Sequence, residues 1–339
     1  MRKINGVPIE SHTDLSSLKG GEVLKWDSST GKMVWEDQDG GAYNPPVWYG
    51  GRGVYAGRYS GGTTNVIEYI TIATTGNATD FGDVSAPINR MSGCSDGSRG
   101  IFAGGHTTNV IQYITISTPG NTTDFGDLTV ARRSVAACSD GTKGVFGAGK
   151  DSSVVVNTID YITIQTTGNA ADFGDTTVAR YDLAGCSDGT KGIFGGGWTS
   201  DNVNTIDYVT ISTTGNALDF GDLTDARAGT GSCSDTTRGI WAGGWGNASN
   251  YIDTMDYVTI ATTGNAIDFG NLSVARGESA AGVSNAIRAT FGGGLDHTLT
   301  NSNVIDYVTI QTTGNAIDFG DLTAAGYGLS ACSGASGDY

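Results

Sequence analysis

Histidine occurs three times in 339 residues, proline five times and cysteine five times, and 19 basic residues stand against 35 acidic ones. His12, His106 and His297 are far apart in the chain, so no cluster suited to holding copper or another catalytic metal can be read. Neither a nucleophile elbow nor a phosphate-binding P-loop is read from the sequence. These gaps argue against an enzyme and against a bound cofactor. A formal charge of −16 argues against a nucleic acid or an anionic membrane surface as partner, since both reward basic patches. No run of about 18 apolar residues occurs, so membrane insertion is not expected. The opening Met1-Arg2-Lys3-Ile4-Asn5-Gly6 has charges but no apolar stretch behind it, so no secretory signal is expected. No amphipathic helical period stands out.

What the chain has in abundance is glycine, 54 residues, and repetition. Tyr69, Tyr113, Tyr161, Tyr208, Tyr257 and Tyr307 are each followed twelve residues later by a phenylalanine: Phe81, Phe125, Phe173, Phe220, Phe269 and Phe319. Successive phenylalanines lie 44, 48, 47, 49 and 50 residues apart. A period of that size denotes an array of supersecondary units.

The third copy shows four strand-like pieces, at residues 134–138, 144–149, 158–165 and 172–176. Residues 139–142 (Ser-Asp-Gly-Thr) mark the first turn, and 167–169 (Thr-Gly-Asn) mark the last. Ile159, Tyr161, Ile162 and Ile164 supply the β-branched and aromatic side chains of the third piece. Four short antiparallel strands per unit are the blade of a β-propeller. The fold class expected is all-β: a six-bladed propeller over residues 46–339, preceded by a short arm at 1–45. Residues 53–57 form a second strand with no first strand before it, and 329–333 form a first strand with nothing after it. The C-terminal strand is therefore expected to complete the blade begun at Gly53 and close the ring.

At these residues the chain resembles the kelch family. The carriers are the glycine doublets Gly104-Gly105, Gly196-Gly197, Gly243-Gly244 and Gly293-Gly294, the repeated tyrosine, the aromatic twelve residues on, and an arginine before the first strand (Arg132, Arg180, Arg227, Arg276). Ile88 and Gly326 stand in the arginine's place in two copies. The resemblance implies a kelch-like propeller and does not by itself imply an activity.

Within residues 1–45, 22–26 and 32–36 read as a hairpin around 28–31 (Ser-Ser-Thr-Gly), and 37–46 as a linker. A lone hairpin is marginal in water, so this one is expected to lean on another surface. The run at 14–27 resembles short segments of bacteriophage fibre and other virion proteins. That resemblance implies localisation in a virion, with residues 1–45 docking onto other virion proteins.

The five cysteines, Cys94, Cys138, Cys186, Cys233 and Cys332, occupy one equivalent place per unit. They read as small buried hydrophobes, because equivalent sites in different blades are too distant for a disulfide. The recurring Asp172/Asp175 pair and its equivalents could bind calcium or act as acid and base, but six copies point to turn capping. By contrast, the connection between second and third strands varies from unit to unit. It carries Tyr59, then His106, then Lys150-Asp151, then Trp198, then Trp245 with Tyr251, then His297. Variable loops on a rigid scaffold are where binding is usually placed. The candidate binding residues are thus Tyr59, His106, Trp198, Trp245, Tyr251 and His297, and their expected partner is a host-surface glycan or protein. The function expected is that of a phage virion structural protein, at a fibre tip or decorating capsid or tail. The alternative is an intracellular kelch-like interaction scaffold, and a homo-oligomer is compatible with either.

Overall fold

The computed structural model describes residues 51–339, apart from 107, 248–249, 279–280 and 335–339, together with the backbone of four short strands earlier in the chain. The chain divides into two compact units, residues 1–47 and 48–339. In the first, Lys3–Ile4 pairs with Val7–Pro8, and Glu22–Asp27 pairs antiparallel with Lys32–Asp37. The second of these pairs is the hairpin read from the sequence. Its turn at 28–31 and the linker beyond residue 37 lie outside the described residues.

The second unit is a six-bladed β-propeller, each blade a four-stranded antiparallel sheet. Blade three runs Ala136–Ser139, Lys143–Lys150, Val155–Thr163 and Ala171–Asp175, within three residues of the sequence reading at every start. Blade one is assembled from both ends of the unit. Ser330–Ser333 pairs antiparallel with Arg52–Tyr59, bringing Cys332 opposite Val54, and Thr63–Thr71 and Thr79–Asp83 complete the sheet. The ring is therefore closed by hydrogen bonds between residues almost 280 positions apart in sequence. No helix is present among the described residues, so none is long and apolar enough to cross a membrane.

Period-2 alternation explains why the blades stack. In Lys143–Lys150 the side chain of Val145 points to the contact with blade four and that of Phe146 to the contact with blade two. Both faces of every blade are thus buried, and six apolar clusters fill the six junctions. The cysteines are buried members of these clusters. Cys138 Sγ sits where a Cβ on Gly192 of the next blade would be 2.3 Å away, so the glycine exists to admit the sulfur. Burial also pushes the Cys138 thiol well up, away from reactive thiolate.

Three further contacts repeat around the ring. The second strand of each blade begins with a cation (Arg52, Arg99, Lys143, Lys191, Arg238, Arg288) lying 4.2–5.3 Å over the tyrosine ring of its own blade. The same cation donates to a carbonyl of the next blade at 2.6–3.1 Å. The tyrosine meets its phenylalanine edge to face at 5.8–6.1 Å, which accounts for the fixed twelve-residue spacing. The asparagine of each Thr-Gly-Asn or Pro-Gly-Asn turn accepts, through its side-chain oxygen, an N–H of the preceding blade's outer strand at 3.0–3.1 Å.

The Asp172/Asp175 series acts differently from the turn capping expected. Asp175 contributes its backbone N–H, donated to Asn216 of the next blade. The side chains that cap the turns between first and second strands are Asp96, Asp140, Asp188, Asp235 and Asn285, each accepting the N–H three residues on at 2.7–2.8 Å. An acceptor at the start of a tight turn satisfies the donors its geometry strands, so the mechanism expected is present on a different column of residues.

The arginine before the first strand is an interior residue. Arg132, Arg180, Arg227 and Arg276 are fully buried and pair at 2.7–2.9 Å with Asp160, Asp207, Asp256 and Asp306, equally buried, from the third strand of the same blade. The two departures are compensated. In blade two, Ile88 replaces the arginine and neutral Gln112 replaces the aspartate; Gln112 Oε1 accepts the Ser85 N–H at 2.8 Å and the Thr122 hydroxyl at 2.7 Å. In blade one, Arg58 enters from the second strand to pair with Glu68. Gly326 stands in the arginine's usual place because a Cβ there would be 2.7 Å from Arg58 Cδ.

Candidate binding face

Antiparallel order sends the first-to-second and third-to-fourth connections of each blade to one face, and the second-to-third and fourth-to-first connections to the other. The constant turns thus share a face with the cation and asparagine contacts. The variable loops share the opposite face with the fourth-to-first connections.

Those connections build a ring around the mouth of the central channel. Ser134 donates its N–H to Arg90, Asp182 to Ser134, Gly229 to Asp182, Gly328 to Glu278 and Arg90 to Gly328, at 2.7–3.2 Å. All six residues have left-handed backbone, with φ between 54° and 68°. Two are glycine, which adopts this conformation freely, but Arg90, Asp182 and Glu278 in alternate blades carry charge. Arg90 joins the other two. Its Nη1 donates to both carboxylate oxygens of Asp182 at 3.1 and 3.3 Å, and its Nη2 to Glu278 Oε2 at 2.6 Å. Burial alone would lower the Arg90 pKa, but the two carboxylates more than offset it and hold the guanidinium protonated. Glu278 shifts upward, first through burial and then through the charge of Asp182.

Two depressions flank this hub. One, of about 290 Å³, is lined by Tyr181, Asp182, Trp198, Trp245, Tyr251 and Glu278, with Leu299 at its rim. The other, of about 600 Å³, includes Tyr59, Ile88, Arg90, His106 and Tyr327 in its wall. Of the six candidate residues, Trp198, Trp245 and Tyr251 are therefore brought together, and Tyr59 and His106 are brought together separately. His297 is exposed in a neighbouring loop and lines neither depression.

Each aromatic is fixed by its loop. Trp198 exchanges both backbone hydrogen bonds with Tyr181, at 2.8 and 3.1 Å. The Asn202 amide donates to the Trp245 carbonyl at 2.8 Å, tying the two tryptophan loops together. Tyr251 is 5% exposed and meets Trp245 edge to face at 4.8 Å, so it supports the indole more than it offers surface. Burial also pushes the Tyr251 hydroxyl far above its usual range. Tyr59 stacks at a tilt on Tyr327, 5.3 Å between ring centres, and the Lys150 ammonium lies 4.9 Å over Tyr181.

Sequence reasoning missed Arg90, Asp182, Glu278, Tyr181 and Tyr327. The signal was present two residues after the arginine column, where Arg90, Ser134, Asp182, Gly229, Glu278 and Gly328 align. A column mixing glycine with opposite charges is unlike the uniform columns of the scaffold.

The string Gly-x-Ser-x-Gly does occur, at 93–97 and 185–189, although no nucleophile elbow is expected from the sequence. Its serines, Ser95 and Ser187, end inner strands and donate to the carbonyls of Ser333 and Ser139 at 2.6 Å. A nucleophile elbow is a strand-to-helix turn, and these are strand-to-strand turns. Among the described residues, no group of three or more His, Cys, Asp or Glu is placed to hold a metal. Comparison with protein-family models and with curated proteins gives no match.

Proposed function

We propose that this chain is a structural protein of a bacteriophage virion, at a fibre tip or decorating the capsid or tail, whose propeller meets the host surface through the variable-loop face. The propeller is kelch-like in its glycine doublets and tyrosine column. Residues 1–45 attach it to other virion proteins, and the partner across the loop face is a glycan or protein of the host. The observation that carries the binding part is the gathering of Trp198 and Trp245, from different blades, around one open depression beside fixed charges. Large rigid aromatics with polar neighbours are the usual anchors of recognition sites. Exchange of both tryptophans for alanine should leave the thermal unfolding of the propeller in place and weaken binding to host cells by roughly thirty-fold or more, since one anchoring aromatic is worth about 2 kcal/mol. Undiminished cell binding by the folded double variant would remove this face from the proposal.

A further inference from the structure

We infer that the depression between Trp198 and Trp245 takes a neutral sugar of one or two rings, held against the indoles by its apolar face and through its hydroxyls by Asp182 and Glu278. The inference rests on the binding reading above and names the ligand class for it.

Charge comes first. Both carboxylates at the depression are already engaged by Arg90, and a second cation, Lys150, sits over Tyr181 at the same rim. An anionic ligand would face Asp182 and Glu278 in the lining itself, and the charge a cationic one would seek there is already paired with Arg90 behind them. Opposite charges that pair with each other leave little net field, yet they keep lone pairs and N–H groups for a ligand's hydroxyls. Glu278 Oε2 meets Arg90, while its side chain remains 27% exposed.

Order comes second. Asp182 and Glu278 stand on the left-handed ring at the channel mouth, and the guanidinium locks their rotamers. Groups fixed before binding lose little entropy when a ligand arrives, which matters for a ligand whose hydroxyls are as well satisfied by water. Shape comes third. The pyranose ring is amphipathic, with C–H groups on its faces and hydroxyls at its edge. Half-buried Trp198 and Trp245 offer flat apolar surface to the former, and the carboxylates offer acceptors to the latter. At about 290 Å³ the space falls just under the ~300–1,000 Å³ range of small-molecule sites, which suits one or two rings better than a peptide segment.

The test uses the full-length chain on an array of immobilised neutral oligosaccharides, sialylated and uronic-acid oligosaccharides, choline and lysine-rich peptides. Retention by neutral oligosaccharides is expected, changing less than about two-fold between low and high salt because no net charge is exchanged. Glu278→Ala, which removes one charged acceptor, should weaken that retention about tenfold with the thermal transition retained. Glu278→Gln, which keeps one acceptor oxygen, should weaken it less. Retention only by charged probes, by peptides or by none overturns the inference. Bacterial cells separate it from the reading beneath. Cell binding that depends on Trp198 and Trp245 but survives periodate cleavage of vicinal diols, and is lost on protease treatment, sinks the sugar and keeps the face. Cell binding indifferent to both tryptophans sinks the face itself.

Discussion

Replacing Arg180 by isoleucine asks whether blade two's solution to the buried-charge problem can be transplanted. Arg180 pairs with Asp207 at 2.7 Å and donates to the carbonyls of Gly196 at 2.8 Å and Phe194 at 3.1 Å, all in the interior. Without it Asp207, fully buried, keeps only the Thr177 hydroxyl and N–H. Removing one partner of a buried pair costs about 3–5 kcal/mol, chiefly because the other charge is left uncompensated. An unfolding entropy of about 2.1 cal/mol/K per residue over residues 48–339 gives ~0.6 kcal/mol per degree, so Tm should fall by about 5–8 °C. Asp207→Gln alone should cost a similar amount by stranding the guanidinium. The combination Arg180→Ile with Asp207→Gln reproduces Ile88 with Gln112, where an amide oxygen accepts the Ser85 N–H at the place where Asp207 accepts that of Thr177. It should cost less than either single change, with a coupling of at least ~2 kcal/mol. Calorimetric or urea unfolding of the four proteins measures it. A double variant whose loss equals the sum of the two single losses would refute the account of these pairs as mutually required charges.

Two further outcomes follow from the ring and from the arm. Deleting residues 330–339 removes the strand paired to Arg52–Tyr59 and the buried Cys332, leaving an open apolar edge, so aggregation or a large drop in Tm is expected; an unchanged melting curve and solubility would rule out this closure as a source of stability. A chain beginning at residue 48 should remain soluble with the propeller's unfolding transition intact and should fail to enter assembled particles; normal incorporation, read by particle purification and immunoblotting, would end the attachment role proposed for residues 1–45.

The ring was legible because its determinants recur. A contact made within each blade or at each junction must be repeated as often as the blades are, so Tyr161 with Phe173, Gly192 against Cys138 and Asn169 on the neighbouring outer strand all leave columns of recurring residues. Even the swapped strand could be read, because counting second, third and outer strands leaves one first strand over. Lys143 and its equivalents escaped notice because arginine and lysine share that column, although either can sit over the ring and reach the next blade. The partners of Arg132 escaped because the pairing spans 28 residues and shows only when the exceptions, Ile88 with Gln112 and Gly326 with Arg58 and Glu68, are compared. Trp198 and Trp245 stood out by their size. Their carboxylate neighbours did not, since Asp182 and Glu278 each occur once and meet through Arg90, 92 and 188 residues away.

The division of the two faces bears on whether the loop residues are drift. Drift at a left-handed position favours glycine, or asparagine and aspartate, because other side chains cost roughly 1 kcal/mol or more there. Two of the six such positions around the channel mouth hold arginine and glutamate despite that cost, and both belong to one ion-paired cluster with Asp182. Unconstrained change would not be expected to set two disfavoured residues of opposite charge, 188 positions apart, in contact. Stability does not require the cluster, since blades one and five pass the same point with Gly328 and Gly229. What the charges add is therefore best sought outside the fold, in what they hold at the surface between Trp198 and Trp245. Replacing the whole cluster by glycine should accordingly leave the propeller folded and strip the face of its ligand.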